Sequence, residues 1–207
     1  MIDSSSVFTD RRAEAALCGI AAAELLGLIL LLAGAIPNVG VLDTVLSVAA
    51  PPLCLGAFAV LFSQLRPSVW ALLALLFQVV NTAMVVTGDA LQHVVFHSTN
   101  TALDRGSLWV ITTAIRDQVG NNFLYVALAI AGCLLLGDRR NWLGGLALAN
   151  AALGWLDLAF AQQLGLPPHV NFLLIVVWLV VLGISTLQRG ALADGNYRPL
   201  TSSVYQV

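Results

Sequence analysis

Residues Trp70–Tyr125 read WALLALLFQVVNTAMVVTGDALQHVVFHSTNTALDRGSLWVITTAIRDQVGNNFLY, and this stretch decides the fold. One apolar run ascends, a polar segment carrying His93 and His97 turns the chain, and a second apolar run returns. A step of three or four residues comes back to the same helical face. Gln78, Asn81, Thr82, Asp89, Gln92, His93 and His97 therefore form one polar stripe, and Asp117, Asn121 and Tyr125 form another. Short connections make consecutive helices neighbours, so the stripes are expected to face one another. Asp89 and His93 then lie level with Arg116 and Asp117, and Asn81 and Thr82 approach Asn121 to Tyr125.

The rest of the chain sets the class. Of 207 residues, 59% are hydrophobic and only 10% charged, against about 25% charged in a soluble domain. Six apolar runs are long enough to cross a bilayer: about 15–36, 41–65, 69–98, 109–137, 142–163 and 170–187. The expected fold is all-α, a polytopic integral membrane protein with six transmembrane helices over residues 13–189. Polar tails, 1–12 and 190–207, are expected to be loose. The first run is too long for a signal-peptide core and is read as a retained anchor. Pro51-Pro52 should kink or break the second span. Gly19, Ala23 and Gly27 form a small-residue ladder that would let another helix approach, so a homo-oligomer is open.

Several chemistries are excluded or disfavoured. A net charge of -2 gives no reason to expect a nucleic-acid partner, and the absence of lysine removes Schiff-base chemistry. Cys18, Cys54 and Cys133 stand in separate apolar runs, without the clustering that zinc or disulfide frameworks need; they read as small core residues. H-E-x-x-H, G-x-S-x-G, Gly-rich phosphate loops and C-x-x-C are all missing. No cofactor is implied.

Orientation follows from the arginines. With the N-terminus inside, seven of the nine lie on the cytoplasmic side: Arg11, Arg12, Arg66, Arg139, Arg140, Arg189 and Arg198. Only Arg105 and Arg116 lie outside. Both termini are then cytoplasmic, the polar segment between the third and fourth spans faces the outer side, and the location is a plasma membrane of the bacterial inner-membrane type.

Ionisable groups inside a span are costly and usually face the bundle interior or water. Glu24 sits about 15 Å along the first span, near mid-membrane. Asp89 and Asp157 have no partner evident in the sequence, while Arg116 and Asp117 are adjacent. Asn81, Asn121, Asn122 and Asn150 lie at similar depth and read either as interhelical glue or as the lining of a polar cavity. The candidate ligand-binding set is Glu24, Gln78, Asn81, Asp89, His93, His97, Arg116, Asp117, Asn121, Tyr125, Asn150 and Asp157. Such a set suits a cation, a proton or a neutral polar ligand rather than an anion.

Asp89, His93 and His97 share one face at four-residue spacing. They read as ordinary interfacial residues, a proton relay, an acid–base pair of Asp89 and His93, or part of a metal site at His93 and His97. No second His/Glu motif completes a di-metal bundle site. Three functions follow. The first is binding or transport of a small cationic, neutral or amphiphilic ligand through an outward-opening polar cavity, with optional proton coupling. The second is an intramembrane enzyme acting on a lipid-soluble substrate through Asp89 and His93. The third is a structural subunit of a membrane complex.

Overall fold

The computed structural model describes residues 4–35, 41–65, 67–97, 104–164 and 170–193. They form helices α1 (Ser4–Leu32), α2 (Val41–Gln64), α3 (Val69–His97), α4 (Arg105–Thr113), α5 (Asn121–Gly137), α6 (Asn141–Leu164) and α7 (Val170–Ala193). A π-helical segment, Ala114–Gly120, joins α4 to α5 without a break. Counting α4, the π segment and α5 as one, six helices are long and apolar enough to cross a membrane.

The spans form a ring. Each packs on its neighbour in sequence, and α7 closes back onto α1. The centre is filled by Cys18, Ala21 and Leu25 of α1, Phe58 and Leu61 of α2, Leu128 and Leu135 of α5, and Trp178 and Leu182 of α7. Trp178 is fully buried, packs with its ring tilted 42° and 5.3 Å from that of Phe58, and donates its indole N–H to the Leu143 carbonyl at 3.2 Å. Large apolar residues such as Leu72, Leu76, Val110, Leu173 and Ile184 are exposed on the outside of the ring, where lipid replaces water.

Close approach is set by glycine at the α5–α6 crossing. A Cβ on Gly144 would stand 2.9 Å from the Gly132 carbonyl, and one on Gly132 would stand 3.0 Å from the Gly144 carbonyl. The two backbones therefore touch there, as small-residue membrane interfaces allow.

Some boundaries differ from expectation. Residues 4–12, read as a loose tail, are the first turns of α1, where Arg11 pairs with Glu14 at 2.7 Å one turn on. Helix α1 stops before Ile36 because Gly34 adopts φ 72°, so that Ala35 N–H reaches Leu30 O (2.9 Å) and Gly34 N–H reaches Leu31 O (3.0 Å). This is the Schellman ending that glycine favours. Helix α2 continues through Pro51 and Pro52 instead of breaking, since neighbouring helices stabilise a proline-bearing span. Helix α7 extends to Ala193, beyond the expected Leu187. The small-residue ladder is turned outward: Gly19 and Ala23 are exposed, and only Gly27 meets a neighbour, Leu46. Cys18 and Cys54 are buried as expected, but Cys133 is exposed. Pro37, Asn38, Gly40 and His169, between spans, lie outside the described residues.

Candidate functional site

The inward face of helix α3 turns polar along its length. Its buried positions run Ala71, Ala74, Gln78, Asn81, Gly88 and Gln92. The small residues let α3 approach its neighbours at one end, and the amides then need partners that lipid cannot provide. Those partners come from the π segment.

A π turn widens the helix and closes i→i+5 bonds, and such turns recur at functional positions. Here it carries Arg116 and Asp117 side by side. Arg116 Nε donates to Asp117 Oδ1 at 2.6 Å and Nη2 to Asp117 Oδ2 at 2.9 Å, a two-pronged pair. Arg116 Nη1 crosses to α3, donating to Asp89 Oδ1 at 3.0 Å and Gln92 Oε1 at 2.8 Å. Gln92 Nε2 then donates to Thr113 Oγ1 at 2.9 Å. Gly88 makes this approach possible, because a Cβ there would lie 2.8 Å from Arg116 Cβ and 3.2 Å from the Thr112 carbonyl. The Asp89 side chain is 11% exposed and that of Arg116 30%. Two carboxylates thus share one guanidinium in a region graded from buried to wet.

One level deeper, Asn81 Nδ2 donates to the Gly120 carbonyl at 2.9 Å, and Gln78 Nε2 donates to Asn81 Oδ1 at 3.3 Å. Thr82 Oγ1 donates to the Pro51 carbonyl at 3.3 Å, tying α3 to α2 as well. Gln78 Oε1 is buried without a hydrogen-bond partner. Phe77 and Phe123 stack below at 5.8 Å.

The meeting of the two stripes is therefore seen at Asp89, Arg116, Asp117 and Asn81, but the stripe through Asp117, Asn121 and Tyr125 divides. Asn121 is half-buried at the start of α5, and Tyr125 faces α6 and α7. Asn171 Nδ2 donates to the Tyr125 hydroxyl at 2.5 Å, and a Cβ on Gly154 would overlap the Tyr125 ring. The Asn150 amide, in the orientation that satisfies both its atoms, donates to the Asn171 carbonyl (3.1 Å) and accepts from Ile175 N–H (3.0 Å). Asp157 is near enough to act on Tyr125 through space. This second polar group, between α5, α6 and α7, takes Tyr125, Asn150 and Asp157 out of the first.

The remaining candidates are dispersed. Glu24 lies on α1, with Oε2 buried and without a hydrogen-bond partner. Asn122 is exposed and accepts from Trp155 Nε1 at 3.1 Å. The engaged asparagines Asn81, Asn122 and Asn150 thus serve three different interfaces. His93 is exposed one turn beyond Asp89, and the side chain of His97 lies outside the described residues. Among the described residues, no three His, Cys, Asp or Glu side chains are placed to hold a metal ion. Asp89, with no partner evident in the sequence but expected to lie level with Arg116, is paired with it across 27 residues.

Four contributors were not in the candidate ligand-binding set: Thr82 and Gln92, which the polar stripe already held, and Thr113 and Asn171. Gln92 sits three residues after Asp89, so helical spacing carried its signal. Asn171 had none, because it follows directly on the turn into the last span. At the start of α4, Asp104 caps the helix, accepting from Ser107 N–H (3.2 Å) and Ser107 Oγ–H (2.6 Å). These bonds hold its carboxyl below the usual carboxylate range. Comparison of the chain with protein-family models, curated proteins and solved structures finds no match.

Proposed function

We propose that this is a plasma-membrane protein with both termini cytoplasmic that binds or transports a small cationic, neutral polar or amphiphilic solute, taken from the outer side and coupled to protons. The observation that carries the reading is the sharing of Arg116 between Asp89, Gln92 and Asp117. Two carboxylates gathered at one guanidinium favour a cation or a proton over an anion. Arg116 keeps its two-pronged hold on Asp117 if Asp89 changes partner. An ammonium group or a proton arriving at Asp89 can therefore replace the single Arg116 donor without stranding the guanidinium. The buried acceptor Gln78 Oε1, one level below the Asp89–Arg116 group, supports a ligand that brings N–H or O–H donors.

Proteoliposomes loaded with a pH-sensitive dye test this with ethidium and ethylammonium as probes. Wild-type protein should couple uptake of at least one of them to proton movement, and Asp89→Asn should lower the rate about tenfold, the cost of one charge-assisted bond. Uptake and proton flux equal to protein-free vesicles for both probes would overturn the reading. The structural-subunit reading would then lead, because Gly19 and Ala23 present an open small-residue face on α1 and a Cβ on Gly19 would meet nothing within 4 Å. Co-purification of a membrane partner that is lost on Gly19→Leu would support it.

A further inference from the structure

At the other end of the bundle α2 and α5 end, α6 begins, and Arg189 lies near the end of α7, and there the chemistry is reversed. Arg140 is a charged residue only 8% exposed. Its Nε donates to Asp138 Oδ2 at 3.1 Å and its Nη1 to Gln64 Oε1 at 3.2 Å. Gln64 is held in turn by donating through Nε2 to Thr186 Oγ1 at 3.0 Å. The third prong, Nη2, is buried with no hydrogen-bond partner. A guanidinium fixed on two sides and left with an open donor is an anion-binding arrangement lacking its anion.

Several further features surround this donor. Asp138, the one carboxylate paired with Arg140, is shared with Arg189 Nη2 at 3.3 Å, so it neutralises neither fully. Burial, then the nearness of Arg189 and Arg11, draws the Arg140 guanidinium below its ordinary range; positive charge there is in excess. Helix α6 starts at Asn141, the residue after Arg140, so its first N–H groups and the positive end of its dipole lie at the same place. Finally, Arg139 occupies φ 59° at the end of α5, a position glycine fills without steric conflict. Trp142, 85% exposed two residues on, marks this level as a membrane–water interface.

We propose that Arg140, with Arg189, Arg11 and the start of α6, forms a binding site for a phosphate group at the arginine-bearing end of the bundle. A phosphate oxygen would accept from Arg140 Nη2, and a second would face Arg189. The fork geometry of arginine favours phosphate over a simple halide. Phosphate at this depth has two sources: the headgroup of an anionic lipid, or a soluble phosphate. Basic recesses between helix ends on the cytoplasmic side are suited to the first.

The test is thermal unfolding of the full chain in neutral detergent, followed by tryptophan fluorescence. The additions are phosphatidylglycerol, phosphatidylcholine and inorganic phosphate, each in turn. Phosphatidylglycerol should raise the midpoint in a saturable way while phosphatidylcholine does not. Arg140→Gln should raise the half-saturating concentration about tenfold. The exposed variant Arg189→Gln, whose fold is not at risk, should raise it about fivefold. Arg105→Gln, at the opposite end, removes the same charge and should leave the response unchanged. Saturation by inorganic phosphate at comparable concentration would support the site and assign it to a soluble ligand. An unchanged midpoint with every phosphate-bearing addition would overturn the proposal. Equal losses from Arg189→Gln and Arg105→Gln would overturn it too, since the effect would then be net charge alone.

Discussion

Arg116 shows why a single side chain can organise a polar hairpin in lipid. Asp89 and Asp117 carry the same obligation, and both are ion-paired to Arg116. If Arg116 is replaced by Gln, both carboxylates lose that guanidinium across the α3–π contact. Removing one partner of a fully buried pair costs about 3–5 kcal/mol. With Arg116 30% exposed, solvent screening reduces this to about 1–3 kcal/mol. The expected outcome is a lower unfolding midpoint for Arg116→Gln, largely recovered in the Asp89→Asn/Arg116→Gln double variant; additive losses would show that the two residues do not interact. Gly154 makes the corresponding case for shape. Its missing Cβ is the space the Tyr125 ring occupies, so Gly154→Ala should destabilise by about 1–3 kcal/mol through overpacking. Tyr125→Leu, in the same Gly154→Ala background, should restore part of that loss.

At the scale of elements the π segment sets which residues meet. Asp117 lies within it while Asn121 and Tyr125 lie beyond it. A four-residue step counted through a π turn does not return to the same face, because the turn closes on i+5 rather than i+4. That is why a stripe drawn from the sequence at constant α-helical spacing placed Tyr125 opposite α3, whereas it binds Asn171 on α7. The spans themselves were legible because length and apolarity alone define a membrane helix. The level at which Asp89 meets Arg116 was legible too, because a short connection sets positions near the loop opposite each other; the direct ion pair across 27 residues has no local pattern to announce it. Deleting Gln118, which is exposed, should convert the segment to α-helix and rotate Arg116 and Asp117 by about one residue, near 100°, relative to α5. Helix content by circular dichroism should hold while the Arg116–Asp89 coupling disappears; retained coupling would show that the π turn is incidental. The cap of α4 adds a pH dependence. Asp104 is held below its ordinary pKa by Ser107, so its contribution is present above the unfolded value and is lost as pH falls through the folded one. Amide exchange at Gly106 to Leu108 should therefore quicken only below about pH 4, and Asp104→Ala should show the quick exchange at every pH.

For the whole molecule, the ring places opposite chemistries at its two ends. One end holds Asp89, Asp117 and Asp104 against Arg116 and Arg105; the other holds Arg11, Arg12, Arg139, Arg140 and Arg189 against Glu14 and Asp138. Six spans return the chain to the side on which it started, so an N-terminus and a C-terminus on the arginine-rich side are one statement. In the proposed orientation, with positive loops retained in the cytoplasm, that end is inside and the Asp89 group outside. That orientation would set the proposed phosphate site next to the leaflet richest in anionic lipid and the carboxylate site where external solutes arrive. In a Cys133→Ser background Cys18 and Cys54 are buried, so a single introduced cysteine reports alone. A cysteine at Ser98 should react with a membrane-impermeant maleimide added to intact cells, and one at Arg139→Cys should react only after the membrane is opened. The reverse pattern would leave the helices and both side-chain clusters as they are, but it would exchange their compartments: the carboxylate site would face the cytoplasm, and uptake from outside through Asp89 would be excluded.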